Sequence, residues 1–145
     1  MSIWTFLFGK SRITKIQDEF FGEINDCKGH FEGHKYFNPT KTGIEIYIPN
    51  DAIKPFHKTF FQDLEKNYDY LKMSLKVKFE DDIFKNWDEN FEIKDFNNEF
   101  TLNFILFPEF ETGEWEMSYN SIHDKNHVFI GFFKDWQLID VMMDG

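Results

Sequence analysis

The sequence contains a single cysteine, Cys27, and this scarcity excludes several kinds of protein. No intrachain disulfide can form, which is typical of proteins from a reducing compartment. Zinc motifs built from several cysteines are also excluded. Proline and glycine are few, with four and eight residues, and no linker rich in proline or serine divides the chain. Because 145 residues is the usual size of one domain, we expect a single domain spanning residues 1–145.

Long hydrophobic runs are missing as well. The apolar patch at residues 3–8 is far shorter than the ~20 residues that cross a bilayer. Lys10, Arg12 and Lys15 follow this patch, whereas a secretory signal places its basic residues first. The pattern therefore predicts a cytoplasmic protein without membrane contacts.

Positive charge is scarce in the second half of the chain. Residues 1–72 contain ten Lys or Arg and ten Asp or Glu, whereas residues 73–145 contain six and sixteen. All of the net charge of −10 therefore comes from the second half. A negative field repels the phosphates of nucleic acids and attracts basic proteins. We expect no nucleic-acid partner, and the charge either favours a basic protein partner or only keeps an aromatic-rich chain soluble.

Aromatic residues are abundant, with 20 Phe, five Tyr and four Trp, and many of them fall at helical spacing. Apolar residues that recur every three or four positions predict helical structure between residues 51 and 87. This stripe consists of Phe56, Phe60, Leu64, Tyr68, Leu71, Leu75, Phe79, Ile83 and Trp87. We expect two consecutive helices that separate near Asn67. Residues 71–79 also alternate as a strand would, but the longer helical stripe favours a helix there.

Alternating apolar and polar residues predict strands on both sides of these helices. The predicted strands cover residues 29–38, 42–50, 100–107, 113–119, 127–133 and 137–143. At the N-terminus, Ile13, Ile16 and Phe20 have helical spacing, and with Ser11 as a cap they allow a short helix. The chain is therefore predicted to be α+β, with a mostly antiparallel sheet of about five to seven strands packed against two central helices.

Motifs that would identify an enzyme are absent from the sequence. No G-x-S-x-G elbow or other nucleophile motif occurs. Cys27 lies close to Lys28 and His30, so a small enzyme that uses Cys27 with His30 is one alternative. The other interpretation of Cys27 is an ordinary small residue at a turn. We expect a protein that is not an enzyme.

Four of the five histidines form H-x-x-x-H pairs, His30 with His34 and His123 with His127. This spacing brings two imidazoles to one metal only within a helix. Both pairs fall in predicted strands and loops, where ~3.3 Å per residue separates them by ~13 Å. A metal held by His127 and Asp124 with ligands from elsewhere in the chain is a second enzyme alternative. Otherwise we expect neither a metal nor a cofactor.

The segment PEFETGEWEMSY carries an acidic run around a predicted hairpin turn at Gly113. Its carboxylates are Glu109, Glu111, Glu114 and Glu116. If the hairpin forms, Glu114 and Glu116 lie on the face opposite Trp115, as a negative patch suited to steering a basic partner. The alternative is the solvent-exposed face of an amphipathic hairpin. Trp136 is a candidate contact anchor, with packing in the core as the equally weighted alternative.

The last third of the chain resembles the final strands of small bacterial α+β domains of unknown function, some of which are considered immunity proteins of polymorphic toxin systems. The resemblance rests on a Trp-x-Met-x-Tyr strand, a His and Phe pair, an Asp-Trp pair and a closing Asp-Gly; these are Trp115, Met117, Tyr119, His127, Phe129, Asp135, Trp136, Asp144 and Gly145. It implies a binding role rather than a reaction. Together with the segregated charge and the absent catalytic motifs, it predicts a non-catalytic intracellular protein that captures a basic, toxin-like protein. A module that self-associates through its edge strands is a further alternative.

Overall fold

The computed structural model describes residues 13–145, which form a sheet of eight strands arranged in the order of the sequence. The strands are β1 (Thr14–Asp18), β2 (Gly22–Asp26), β3 (Phe31–Phe37), β4 (Thr42–Ile48), β5 (Phe100–Leu106), β6 (Glu114–Ser121), β7 (Asp124–Lys134) and β8 (Gln137–Asp144). A long helix, α1 (Pro55–Asp82), a 3-10 turn (Phe84–Asn86) and a short helix, α2 (Phe96–Glu99), connect β4 to β5. Within residues 13–145, β4 and β5 are the one parallel pair of neighbours. The predicted α+β class and the mostly antiparallel sheet are confirmed.

Helix α1 is continuous over 28 residues, so the prediction of two central helices that separate near Asn67 is wrong. The side-chain amide of Asn67 donates a hydrogen bond to the main-chain carbonyl of Asp63 (2.8 Å), and the backbone continues as helix through this position. The preference for a helix over residues 71–79 is confirmed. The stripe that predicted it is largely buried: Phe60, Leu64, Tyr68, Leu71, Leu75 and Phe79.

The expected N-terminal helix is also wrong where the structure describes it, because residues 14–18 form β1. The Asp18 carboxylate accepts hydrogen bonds from the main-chain amides of Phe20 and Phe21 (2.8 and 2.9 Å), and Gly22 has φ +73°. These features close a tight turn into β2, and local turn chemistry of this kind favours a hairpin over a helix. Ser11, the expected cap, lies outside the described residues. With β1 and β2 added, the sheet has eight strands rather than five to seven.

One face of the sheet packs against α1, and aromatic side chains dominate this interface. The Tyr68 and Tyr119 hydroxyls share a hydrogen bond of 2.9 Å between α1 and β6. At Gly131 the helix comes so close that an added Cβ would lie 2.5 Å from a methyl group of Leu75. The alternation predicted for β6 is confirmed, because Trp115, Met117 and Tyr119 are buried.

Strand β5 shows one departure from simple alternation. Its pairing with β6 shifts between Leu102 and Phe104, so a bulge occurs around Asn103. A bulge changes which face the following side chains occupy. Leu102 and Ile105 are buried toward α1, whereas Phe104 is only half-buried.

Within residues 13–145, no helix combines the length and the apolar character that crossing a bilayer requires.

Candidate functional site

The first candidate site lies on the face of the sheet that points away from α1. Side chains alternate between faces along a strand, so Glu114 and Glu116 point away from the helix that Trp115 contacts. Strand pairing aligns one residue of each strand in a row across this face: Lys15, Asn25, Glu32, Tyr47, Leu106, Glu116, Phe132 and Asp140. The second half of the row therefore alternates apolar and acidic side chains.

A groove of about 520 Å³ lies at this end of the row, between the end of β5 and the edge strand β8. The apolar residues that line it include Leu106, Phe132, Ile139 and Met142. The carboxylates that line it are Glu109, Glu114, Glu116 and Asp140. We call these thirteen lining residues the acidic groove: Pro49, Leu106, Phe107, Glu109, Glu114, Trp115, Glu116, Phe132, Phe133, Ile139, Asp140, Val141 and Met142.

None of the four groove carboxylates forms an ion pair within the described part of the chain, although Lys134 lies opposite Glu114 in the pairing of β6 with β7. No nitrogen of Lys, Arg or His in residues 13–145 lies within 4.0 Å of their oxygens. Glu116 is the most enclosed of the four, and burial raises the pKa of its carboxyl above the usual value for glutamate. An enclosed carboxylate without a cationic partner is costly in a folded protein, and such groups concentrate at functional sites.

Three of the four glutamates predicted from the acidic run thus come together in the groove, and Asp140 joins them from β8. Glu111 does not line the groove, since it is exposed in the turn that precedes β6. Trp136 does not line the groove either. It is half-buried and stacks on Phe60 of α1, with ring centroids 5.5 Å apart. The sequence missed Asp140 because only the pairing of β8 with β7 brings it beside Phe132.

A second group of polar side chains lies in the turn between β2 and β3. Cys27, His30 and Glu32 are all buried, and one potential ligand atom from each lies within 4.8 Å of the others. The Cys27 thiol is 3.4 Å from Glu32 Oε2, and His30 Nε2 is also 3.4 Å from this oxygen. The imidazole of His30 stacks on the ring of Tyr47, with centroids 4.5 Å apart. The turn therefore unites the predicted pair of Cys27 and His30 with a carboxylate that the sequence did not single out.

The protonation of Cys27 bears on the enzyme alternative. Burial, together with the neighbouring Glu32 carboxylate, raises the pKa of the Cys27 thiol to about 12. A thiol with so high a pKa provides very little thiolate near neutral pH, and the thiolate is the nucleophilic form. The arrangement of Cys27 and His30 therefore does not favour an unassisted thiolate nucleophile.

The two histidines of the other pair, His123 and His127, each contact a different carboxylate. His123 Nε2 lies 2.6 Å from Glu99 Oε1, and His127 Nδ1 lies 2.7 Å from Asp124 Oδ2. The structure thus brings together the predicted metal ligands His127 and Asp124. Within residues 13–145, no third His, Cys, Asp or Glu joins these two in a group that could hold a metal.

His57 is the histidine that the sequence motifs did not use, and it is completely buried at the start of α1. Its Nδ1 accepts a hydrogen bond from the main-chain amide of Lys54 (2.9 Å), and its Nε2 lies 3.4 Å from Asn50 Oδ1. Burial lowers the pKa of His57 to about 4, and the positive charge of Lys54 acts in the same direction. The sequence signal that could have identified His57 is Pro55 two residues before it. Proline is common at the first residue of a helix, and the third residue is a capping position.

Searches of protein-family models, curated proteins and solved structures find no match to this chain.

Proposed function

We propose that the protein is a non-catalytic binding protein whose acidic groove captures a basic segment of a protein partner. The observation that carries the proposal is a groove that combines apolar lining residues with four carboxylates, none of which has a cationic nitrogen of residues 13–145 within 4.0 Å. A lysine or arginine side chain matches both features, since its methylene stem packs on apolar surface while its charged end contacts carboxylates. The last third of the chain resembles small bacterial α+β domains, some of which are considered immunity proteins, and this resemblance supports a toxin as the partner. A cytoplasmic location belongs to the same proposal.

Electrostatics supports capture of this kind in two ways. The net charge of −10 steers a basic partner from a distance, because long-range attraction accelerates encounter. Glu116 then offers a half-buried carboxylate in the groove, where strand pairing places it beside Leu106 and Phe132. A cation bound there compensates the charge that burial disfavours.

The first test uses a short fluorescein-labelled peptide in which lysine and leucine alternate, with binding followed by fluorescence anisotropy. One variant removes the four groove charges through the substitutions Glu109→Gln, Glu114→Gln, Glu116→Gln and Asp140→Asn. If each contact contributes ~0.5 kcal/mol, the variant binds the peptide about 30-fold more weakly. Binding by the wild type must also weaken when salt rises from about 0.01 M to about 1 M, since the screening length falls from ~30 Å to ~3 Å.

The matched control changes the net charge equally but leaves the groove intact. It carries the substitutions Glu19→Gln, Asp88→Asn, Glu89→Gln and Glu92→Gln, all at exposed positions. The groove proposal expects the control to bind the peptide within about threefold of the wild type. Equal losses in both variants would show that net charge alone attracts the peptide. A gene for a secreted toxin next to the gene for this protein would support the immunity role, and a metabolic operon there would count against it.

A further inference from the structure

The Cys27, His30 and Glu32 group has the chemical character of a metal site rather than of an ordinary polar contact. It combines a thiol, an imidazole and a carboxylate, which are the three side-chain types that ligate zinc in proteins. All three residues are at least 90% buried, so the group is not the exposed acidic cluster that is common on protein surfaces. The group is separate from the acidic groove, and its function does not depend on that proposal.

The turn between β2 and β3 holds two of these side chains in fixed positions. The main-chain amide of Cys27 donates a hydrogen bond to the carbonyl of His30 (2.9 Å), which closes the turn. Lys28 and Gly29 both have positive φ, at +60° and +120°, so the chain reverses within two residues. Glu32 then enters from β3, where pairing with Tyr47 fixes its strand position. Ligands that come from a closed turn and a paired strand need little reorganisation to bind an ion.

The distances fit tetrahedral coordination. Zinc bonds of ~2.0–2.3 Å to nitrogen, oxygen and sulfur place neighbouring ligand atoms roughly 3.3–3.8 Å apart in a tetrahedron. Two of the three separations, from Glu32 Oε2 to Cys27 Sγ and to His30 Nε2, are already 3.4 Å. The remaining separation, between sulfur and nitrogen, is within 4.8 Å.

We propose that Cys27, His30 and Glu32 bind one zinc ion, with a water molecule or a partner's side chain as the fourth ligand. The sulfur ligand selects zinc over magnesium and calcium, which prefer oxygen atoms. The stacking of Tyr47 on His30 fixes the plane of the imidazole and so directs Nε2 toward the ion. Zinc then crosslinks the β2–β3 turn to strand β3.

The test is to strip the full-length protein with a chelator and to titrate it with zinc by calorimetry and with Co²⁺ by absorption spectroscopy. We expect one zinc ion per chain and a higher thermal midpoint with zinc than without it. Co²⁺ should give the intense visible bands of tetrahedral coordination together with a thiolate-to-cobalt charge-transfer band in the near ultraviolet. This charge-transfer band reports specifically on Cys27, since it is the one cysteine of the sequence.

Variants separate this site from unspecific binding by other histidines. Cys27→Ser should abolish the charge-transfer band, and Glu32→Gln should weaken zinc binding at least tenfold. His34→Gln, on the same strand but exposed, is the matched control and should bind as the wild type does. Absence of a thiolate band in the wild-type cobalt spectrum would overturn the proposal even if a variant fails to fold. Zinc binding that Cys27→Ser and Glu32→Gln leave unchanged would also overturn it.

Discussion

Between pH 7.5 and pH 4.5, protonation of His57 should destabilise this protein. The pKa of its imidazole is about 4 in the folded chain, against 6.5 for an ordinary histidine, because burial disfavours the charged form. The unfolded chain therefore binds a proton at His57 more readily than the folded chain does. The contribution to stability is complete above about pH 6.5 and is lost as the pH falls toward 4.

The size of the loss follows from the shift in pKa. Each pKa unit corresponds to ~1.4 kcal/mol. The free energy of unfolding should therefore fall by ~2–3 kcal/mol between pH 7.5 and pH 4.5. The pKa of Glu99 is lowered by hydrogen bonds from the main-chain amide of Asp95, from His123 and from the main-chain amide of Lys94, although burial opposes them. Its stabilising effect begins to be lost as the pH falls through the ordinary glutamate value of 4.5, at the acidic edge of this window.

The assay is urea unfolding followed by tryptophan fluorescence at several pH values, with His57→Gln as the comparison. Glutamine is a common third residue of a capped helix and can accept the hydrogen bond from the Lys54 amide, but it does not titrate. Between pH 7.5 and pH 4.5, the free energy of unfolding should fall by ~2 kcal/mol less in the variant than in the wild type. Identical pH profiles for the two proteins would refute the assignment of acid sensitivity to His57.

Two further predictions concern opposite faces of β6. Tyr119→Phe leaves the buried Tyr68 hydroxyl without its partner and should lower the free energy of unfolding by ~1–3 kcal/mol, whereas adding Tyr68→Phe should recover part of this loss. Urea unfolding measures the free energy of unfolding of each variant. If the loss in the double variant equals the sum of the losses in the two single variants, the two hydroxyls are not coupled and the buried pair is contradicted. Glu116→Gln should raise the unfolding midpoint at pH 7, because burial raises the pKa of this carboxyl and the folded state therefore loses stability as the pH rises through it. A lower midpoint for Glu116→Gln than for the exposed Glu114→Gln would contradict this prediction.

The periodicity of the sequence was enough to predict the long elements of the fold. The stripe from Phe60 to Phe79 identified α1 because a helix that covers a sheet must place an apolar residue every three or four positions. Strict alternation in β6 identified its buried face, because successive side chains of a strand point to opposite faces of the sheet. The break expected near Asn67 failed because the packing of one continuous stripe outweighs the weak helix preference of a single asparagine.

Local turns and pairing decided what periodicity could not predict. Ile16 and Phe20 fit a helical spacing, but the Asp18 side chain stabilises a turn that reverses the chain. The candidate sites depend still more on tertiary contacts. Asp140 reaches the groove only through the pairing of β8, and Glu32 reaches Cys27 only through a turn with two residues of positive φ. The acidic run itself, by contrast, was visible in the sequence and supplied three of the four groove carboxylates.

The most direct test of the binding proposal is to locate the lysine–leucine peptide on the folded protein by NMR. In a titration of the ¹⁵N-labelled chain, the largest amide shifts should cluster in β5 to β8 at the residues that line the groove, including Leu106, Glu116, Phe132 and Asp140. Amides in the middle of α1, on the other side of the sheet, should move little. Shifts concentrated on α1, or spread evenly over the acidic surface, would contradict the claim that the acidic groove is the binding site.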